Sequence, residues 1–281
     1  MMREVSAHLP EIFSGIRKNG AVLLIDFDGT LSSIVQDPRT ARLSPPLHKA
    51  LLRCAKRMPT AIISGRALSD VKRRVGIRGI SYAGSHGLES ELPGGKRFLV
   101  PTPEGTARVF REAKAALKKI VKRYRGIIAE DKHLSFALNY RALSPSDKKR
   151  FESDARQAVE RYGKRLRVID DLYTFDIMPA LAHDKGTCAK KLYKKLRRTR
   201  AAVPLYIGDS KTDEDAFRAF PRGITIRIGR KAEAESAARF YFANRRGLSR
   251  FLSALADQAA PADQGALGRR KAPRRREVLR G

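Results

Sequence analysis

The sequence predicts an α/β protein: a parallel sheet covered by helices on both faces, interrupted by a smaller inserted α+β module. Three observations carry this. Short apolar runs at Ala21–Ile25, Thr60–Ile63, 203–207 and Ile224–Ile228 alternate with helix-period stretches. Strands apolar at nearly every position belong to a sheet buried on both sides. Between residues 103 and 180 the order changes to helix, two strands, helix, two strands, which reads as a separate unit inserted into the first.

Taken in order, 46–57 is an amphipathic helix leading into the strand Thr60–Ile63, and 81–83 is a further short strand. In the insert, 104–123 is a long helix with one basic and one apolar face. It is followed by strands at 126–129 and 134–140, a helix at 145–162, and strands at 165–169 and 173–178. The parallel pattern then resumes with 203–207 and Ile224–Ile228, a helix between them. The expected division is a core of 1–102 and 181–256, an insert of 103–180, and a disordered basic tail of 257–281 rich in Ala, Gln, Pro and Arg.

Composition allows a globular body, with 42% hydrophobic and 31% charged residues over 281 positions. No apolar run approaches the ~20 residues of a membrane span, and no signal-peptide pattern opens the chain. The two cysteines, Cys54 and Cys188, fall in predicted helices without metal-site spacing, so a cytoplasmic protein with reduced thiols is expected. The net charge is +30, and the segment from Asp257 on accounts for only +4 of it, seven Arg or Lys against three acids. The rest is spread over helix faces such as Lys114, Lys118 and Lys119, as on a solvated basic surface. A nucleic acid is therefore not the expected primary partner, although a basic nucleic-acid-binding protein on a vestigial enzyme fold is the alternative of another class. Salt-dependent filter binding would reveal it.

Four motifs follow predicted strand ends or open a helix beside them. Asp26-Phe27-Asp28-Gly29-Thr30 comes directly after an apolar strand, where open parallel sheets bind their ligands. Two carboxylates there require a cation or a shared proton, and Thr30 offers a hydroxyl and an N–H to an anion. Gly208-Asp209-Ser210-Lys211-Thr212-Asp213-Glu214-Asp215 brings further hard oxygen ligands, suited to Mg²⁺, to the same edge. Within it Asp213 could serve only as a helix cap, and Glu214 and Asp215 as first-turn charges. Ser64-Gly65-Arg66 is a candidate oxyanion cradle. Lys185-Gly186 opens a helix at the end where a cation is disfavoured, which suggests an anionic partner.

Together these motifs resemble the haloacid-dehalogenase-like phosphatases over about residues 20–250, which implies a Rossmann-like core. The resemblance implies Asp26 as the nucleophile, forming an aspartyl-phosphate, and Asp28 as general acid and then base. Ser64 and Lys185 would hold the transferring phosphoryl oxygens. Mg²⁺ would be held by Asp26, the Asp28 carbonyl and Asp209, with Asp213 in support. A carboxylate nucleophile and a cation fit the positioning and charge neutralisation that phosphoryl transfer needs.

Further strings narrow the resemblance. Gly84-Ser85-His86-Gly87-Leu88-Glu89, Glu130-x-Lys132, Asn139-Tyr140-Arg141 and Asp176-Ile177-Met178-Pro179 are similar to those of the trehalose-6-phosphate phosphatases, with an inserted α+β cap. By that resemblance Arg66, His86, Glu89, Glu130, Lys132, Arg141 and Asp176 contact the substrate. The expected reaction converts trehalose 6-phosphate and water to trehalose and phosphate. This chain departs from the family pattern at Asn139, where a His is usual. It departs again at Asp176 and Met178, where a Glu and a cation are usual. Phosphatases of sucrose phosphate, mannosylglycerate phosphate or glucosylglycerol phosphate are therefore the alternatives. The implied partners are a small sugar phosphate and a trehalose-phosphate synthase on a separate chain.

Overall fold

The structure, a computed structural model, describes residues 2–171, 173–229 and 236–258. In chain order the elements are β1 (Arg3–Glu4), α1 (Leu9–Asn19), β2 (Ala21–Ile25), α2 (Pro45–Arg57), β3 (Thr60–Ile63), α3 (Leu68–Val75), β4 (Ser81–Gly84), β5 (Glu89–Glu91) and β6 (Arg97–Leu99). The middle contains α4 (Glu104–Val121), β7 (Ile128–Asp131), β8 (Phe136–Asn139), α5 (Pro145–Glu160), β9 (Leu166–Asp171) and β10 (Thr174–Pro179). The chain continues with α6 (Lys185–Leu196), β11 (Val203–Gly208), α7 (Asp213–Ala219), β12 (Ile224–Ile228), β13 (Phe240–Phe242) and α8 (Leu248–Gln258).

A nine-stranded sheet has the order β1-β13-β12-β11-β2-β3-β4-β5-β6. It is parallel from β1 to β4, and only the β4–β5–β6 edge is antiparallel. Every residue of β2 and β3 is buried, because helices cover both faces. On one face α2 presents Leu47, Leu51 and Cys54 and α8 presents Phe251, Leu252 and Leu255, all in one apolar cluster with Leu23 and Ile25. On the other, Cys188, Ala189 and Leu192 of α6 and Phe217 of α7 close over Val22, Leu24, Ala61 and Ile63. Alternate side chains of each strand thus feed two cores, which is why the strands read as unbroken apolar runs.

The second sheet, β7-β8-β10-β9, is wholly antiparallel. Its strands alternate. Phe136, Leu138, Phe175 and Ile177 face α4 and α5 and form a core with Phe110, Leu117 and Phe151. Ala137, Asn139, Thr174 and Asp176 point the other way, into a cavity shared with the first sheet. One face is structural and the other is free to carry chemistry.

The expected strand and helix types hold, with ends shifted by one to a few residues. The short edge strands β1, β5, β6 and β13 and the helices α1, α3 and α8 were not foreseen; two- or three-residue strands are too brief for a period to show. The expected tail begins too early: Asp257 and Gln258 continue α8, ion-paired to Arg53 and hydrogen-bonded to Arg17. The remainder of that tail lies outside the described residues. No helix among them is long and apolar enough to cross a membrane.

Candidate active site

The parallel strands β2 and β11 are neighbours, so the loops after them share one sheet edge. Asp26 follows β2 and is buried; its N–H donates to the Ile207 carbonyl at 2.9 Å. Asp209 follows β11, and Asp213 opens α7, fully buried. One oxygen from each of Asp26, Asp209 and Asp213 lies within 4.8 Å of the others.

The Lys185 ammonium, 4% exposed, donates to Asp26 Oδ1 at 2.7 Å and Asp213 Oδ1 at 2.9 Å. The anion partner suspected from its unfavourable helix position is thus a pair of carboxylates. Asp213 does more than cap. It accepts from Tyr206 Oη at 2.7 Å, from Ser210 Oγ at 2.7 Å, and from the N–H groups of Asp209 and Ser210.

One ammonium cannot neutralise three carboxylates. Burial, with Asp213 and Asp209 against Lys185, pushes the Asp26 carboxyl well up. Burial and the Asp213 charge raise Asp209 to about 7. Burial works against Asp213 too, but the Lys185 charge and the donated hydrogen bonds hold it below its ordinary value. Burial opposes the Lys185 charge, yet Asp213 and Asp26 raise its pKa. This hard, negatively overcharged oxygen set fits a divalent cation such as Mg²⁺. Gly29 makes the geometry accessible: its φ is +80°, and a Cβ there would stand 1.9 Å from Asp209 Oδ2.

The other expected residues separate into those the cavity gathers and those it does not. The Asp28 carboxylate, at the cavity wall, turns to Arg66. Arg66 lines the cavity, but its guanidinium is committed to Asp28, Asp70 and the Pro38 carbonyl rather than open as an oxyanion cradle. Ser64 is fully buried behind the wall that Gly65 and Arg66 form, and its hydroxyl accepts the Arg66 N–H at 3.1 Å. Thr30, expected to face an anion, donates to Asp209 Oδ1 at 3.1 Å.

Glu89 does not line the cavity: it accepts the Leu68 N–H at 3.0 Å and the Ser85 hydroxyl at 3.2 Å, capping α3 and bracing the loop before it. Glu214 and Asp215 are ion-paired to Arg227 and to Arg167 and Arg218.

On the insert side, Glu130, Lys132, Asn139, Arg141 and Asp176 all line the same cavity, of about 500 Å³. Asp176 Oδ2 accepts from Lys132 Nζ at 2.8 Å and meets His86 Nε2 at 3.3 Å. Burial opposes the Asp176 charge, but Lys132 and His86 bring its pKa down to about 2. His86 belongs to the first sheet's loops, so this contact joins the two units, as does the bond from Arg141 Nη1 to the Val35 carbonyl. Burial lowers the His86 pKa and favours the neutral ring. Met178 is buried at 1% exposure and does not reach the cavity.

The sequence reading missed Asp171, which lines the cavity at the β9–β10 turn, its carboxyl raised by burial while Lys211 draws it down. Its place in a strand-to-turn pair, Asp170-Asp171, was the available signal. Asp70, which grips Arg66, was also missed, because an Asp in a first helical turn needs no further explanation.

The two-sheet fold and its carboxylate–lysine centre define a haloacid-dehalogenase-type protein. Consistent with that, the fold matches a phosphatase of that superfamily from Bacteroides thetaiotaomicron with a TM-score of 0.57 at 19% identity, over 84% of this chain and 94% of that one. It matches the C-terminal domain of Candida albicans trehalose-6-phosphate phosphatase with a TM-score of 0.78 at 18% identity, over 92% of this chain and all of that one. A family model described as trehalose-phosphatase matches residues 24–244, and the chain belongs to that family. It is 34% identical over 232 residues to the trehalose-phosphate phosphatase of Mycobacterium bovis. That alignment covers 82% of this chain and 59% of the relative, so the chain spans about three fifths of that relative's length.

Proposed function

We propose that this chain hydrolyses trehalose 6-phosphate to trehalose and phosphate. The supporting observation is that one cavity is lined both by the carboxylate–lysine centre and by the polar face of the insert sheet. A phosphoryl group suits the first wall and sugar hydroxyls suit the second.

In this reading Asp26 attacks phosphorus, the bond to the sugar oxygen breaks, and an aspartyl-phosphate forms on Asp26. Asp28 protonates the departing oxygen. It then takes a proton from the water that releases phosphate and restores the Asp26 carboxylate. Lys185 neutralises part of the charge that builds at this end of the cavity. Asp26, the Asp28 carbonyl and Asp209, with Asp213 behind them, would hold Mg²⁺, which supplies the remaining charge neutralisation. The insert acts as a cap, with Glu130, Arg141 and the Lys132–Asp176 pair presented to the sugar.

Asp26→Asn tests the mechanism. Phosphate release should fall by at least about 10⁴-fold with the melting transition retained. Substantial magnesium-dependent turnover in that variant overturns it. Asn139, which departs from the family pattern on the cavity wall, favours a second reading, a phosphatase of another glycosyl phosphate. Turnover of trehalose 6-phosphate, sucrose phosphate, mannosylglycerate phosphate and glucosylglycerol phosphate, compared as kcat/KM, decides between them. A trehalose-phosphate synthase made as a separate chain is the proposed supplier of substrate.

A further inference from the structure

Both oxygens of Asp28 are held by a single side chain. Arg66 Nε donates to Oδ2 at 2.8 Å and Nη2 to Oδ1 at 2.7 Å, a parallel fork that fixes the plane of the carboxylate. Arg66 is itself anchored. Its side chain is 7% exposed, Nη1 donates to Asp70 Oδ2 at 2.9 Å, and Nη2 also donates to the Pro38 carbonyl at 2.9 Å.

Asp70 sits in the first turn of α3 at 13% exposure, gripped in turn by Arg74 Nε at 2.6 Å and Arg73 Nη2 at 2.5 Å. A continuous set of charge-assisted bonds therefore runs from a helix of the core to a carboxylate that is 41% exposed. An aspartate so exposed at a strand end would otherwise exchange among rotamers.

We propose, resting on the reading of Asp28 as the acid–base group, that Arg66 and Asp70 are positioning residues that splint this carboxylate for proton transfer to the departing sugar oxygen. The fork occupies two of the roughly four lone-pair positions of the carboxylate and leaves the others for the proton. As the phosphorus–oxygen bond breaks, its electron pair leaves with the sugar oxygen and the Asp28 proton moves to that oxygen. Attacking water later returns a proton to Asp28. The splint adds no reactant and fixes the oxygen that carries the proton. Lysine cannot reproduce the fork, and Asp70 keeps the guanidinium from turning.

The test is a ratio of rates in the magnesium-loaded full chain. The leaving group of trehalose 6-phosphate is a sugar alkoxide that needs a proton, whereas that of p-nitrophenyl phosphate is a stable phenolate that does not. Asp70→Asn should lower kcat on the sugar phosphate about tenfold with little change in KM, and should lower the sugar-to-aryl rate ratio at least about fivefold. Arg66→Lys should lower that ratio about tenfold further.

Equal losses on the two substrates, or no loss on either, overturn the proposal. If Arg66→Lys fails to fold, Asp70→Asn decides alone. Asp28→Asn is measured beside them. If it leaves the ratio unmoved, the acid–base reading of Asp28 itself fails. If it shifts the ratio and Asp70→Asn does not, only the splint fails.

Discussion

At the sheet edge one ammonium, Lys185, pairs with Asp26 and Asp213 in a cluster of three carboxylates; on the insert wall Lys132 pairs with one, Asp176. Both lysines are buried, and both lie on the same cavity. The consequences are opposite. In the first cluster burial and the surplus of negative charge push Asp26 up and Asp209 to about 7. In the second the balance is complete, and Asp176 is drawn down to about 2. A cluster left short of positive charge suits a cation, whereas a balanced pair suits neutral polar groups. Charge balance, rather than the number of acids, separates the two walls.

The largest break in this comparison comes from Lys185→Met. It strands buried carboxylates without their ammonium, so stability should fall by about 3–5 kcal/mol. Added Mg²⁺ should recover part of that loss in urea unfolding. Recovery absent at saturating Mg²⁺ would mean that the cluster does not take a cation. Asp176→Asn comes next. The native carboxyl is depressed from 3.8 to about 2, which corresponds to about 2 kcal/mol. That stability is present above the unfolded value near 4 and is lost as pH falls toward 2. The gap between wild type and variant should therefore narrow between pH 5 and pH 2. A gap independent of pH counts against a balanced pair.

A pH effect of opposite sign distinguishes the first cluster. With Asp209 raised to about 7, the metal-free folded chain holds a proton that the unfolded chain would not. The stability it confers is present in acid and is lost as pH climbs through 7. Mg²⁺ binding should release more protons at pH 7, where Asp209 is still partly protonated, than at pH 9, seen by calorimetry in buffers of different ionisation enthalpy. Equal release at both values contradicts the raised carboxyl. The smallest effect is expected outside both clusters: Glu89→Gln weakens the bonds to the Leu68 N–H and Ser85 hydroxyl and should cost about 1 kcal/mol, with kcat nearly unchanged.

The central strands were legible because burial on both faces leaves a run such as Ala21–Ile25 with no polar position. The edge strands were not, since β1 and β13 are defined by neighbours far away in sequence rather than by their own pattern. Asp26, Asp209 and Lys185 were legible as a group because each follows a strand or opens a helix at one sheet edge. Arg66, Ser64, Thr30 and Glu89 were legible as polar residues near that edge, but not in their orientation. Whether a guanidinium faces substrate or Asp28 depends on Asp70 and Pro38, and no local spacing encodes that.

The pairing of β2 with β11 has a further consequence, for synthesis. Thr30 and Asp209 are 179 positions apart, yet they share a hydrogen bond. At ribosomal speeds of roughly 5–20 residues per second, the loop that carries Asp26 waits on the order of ten to forty seconds for its partner. Meanwhile β7–β8 and β9–β10 can close as local hairpins, since sequence-near contacts form first. During that interval the nascent chain exposes one flank of the apolar strand β2, the flank that β11 later covers. The interval ends only when Asp209 emerges, so the centre of the sheet and its acidic cluster are completed in the same late step.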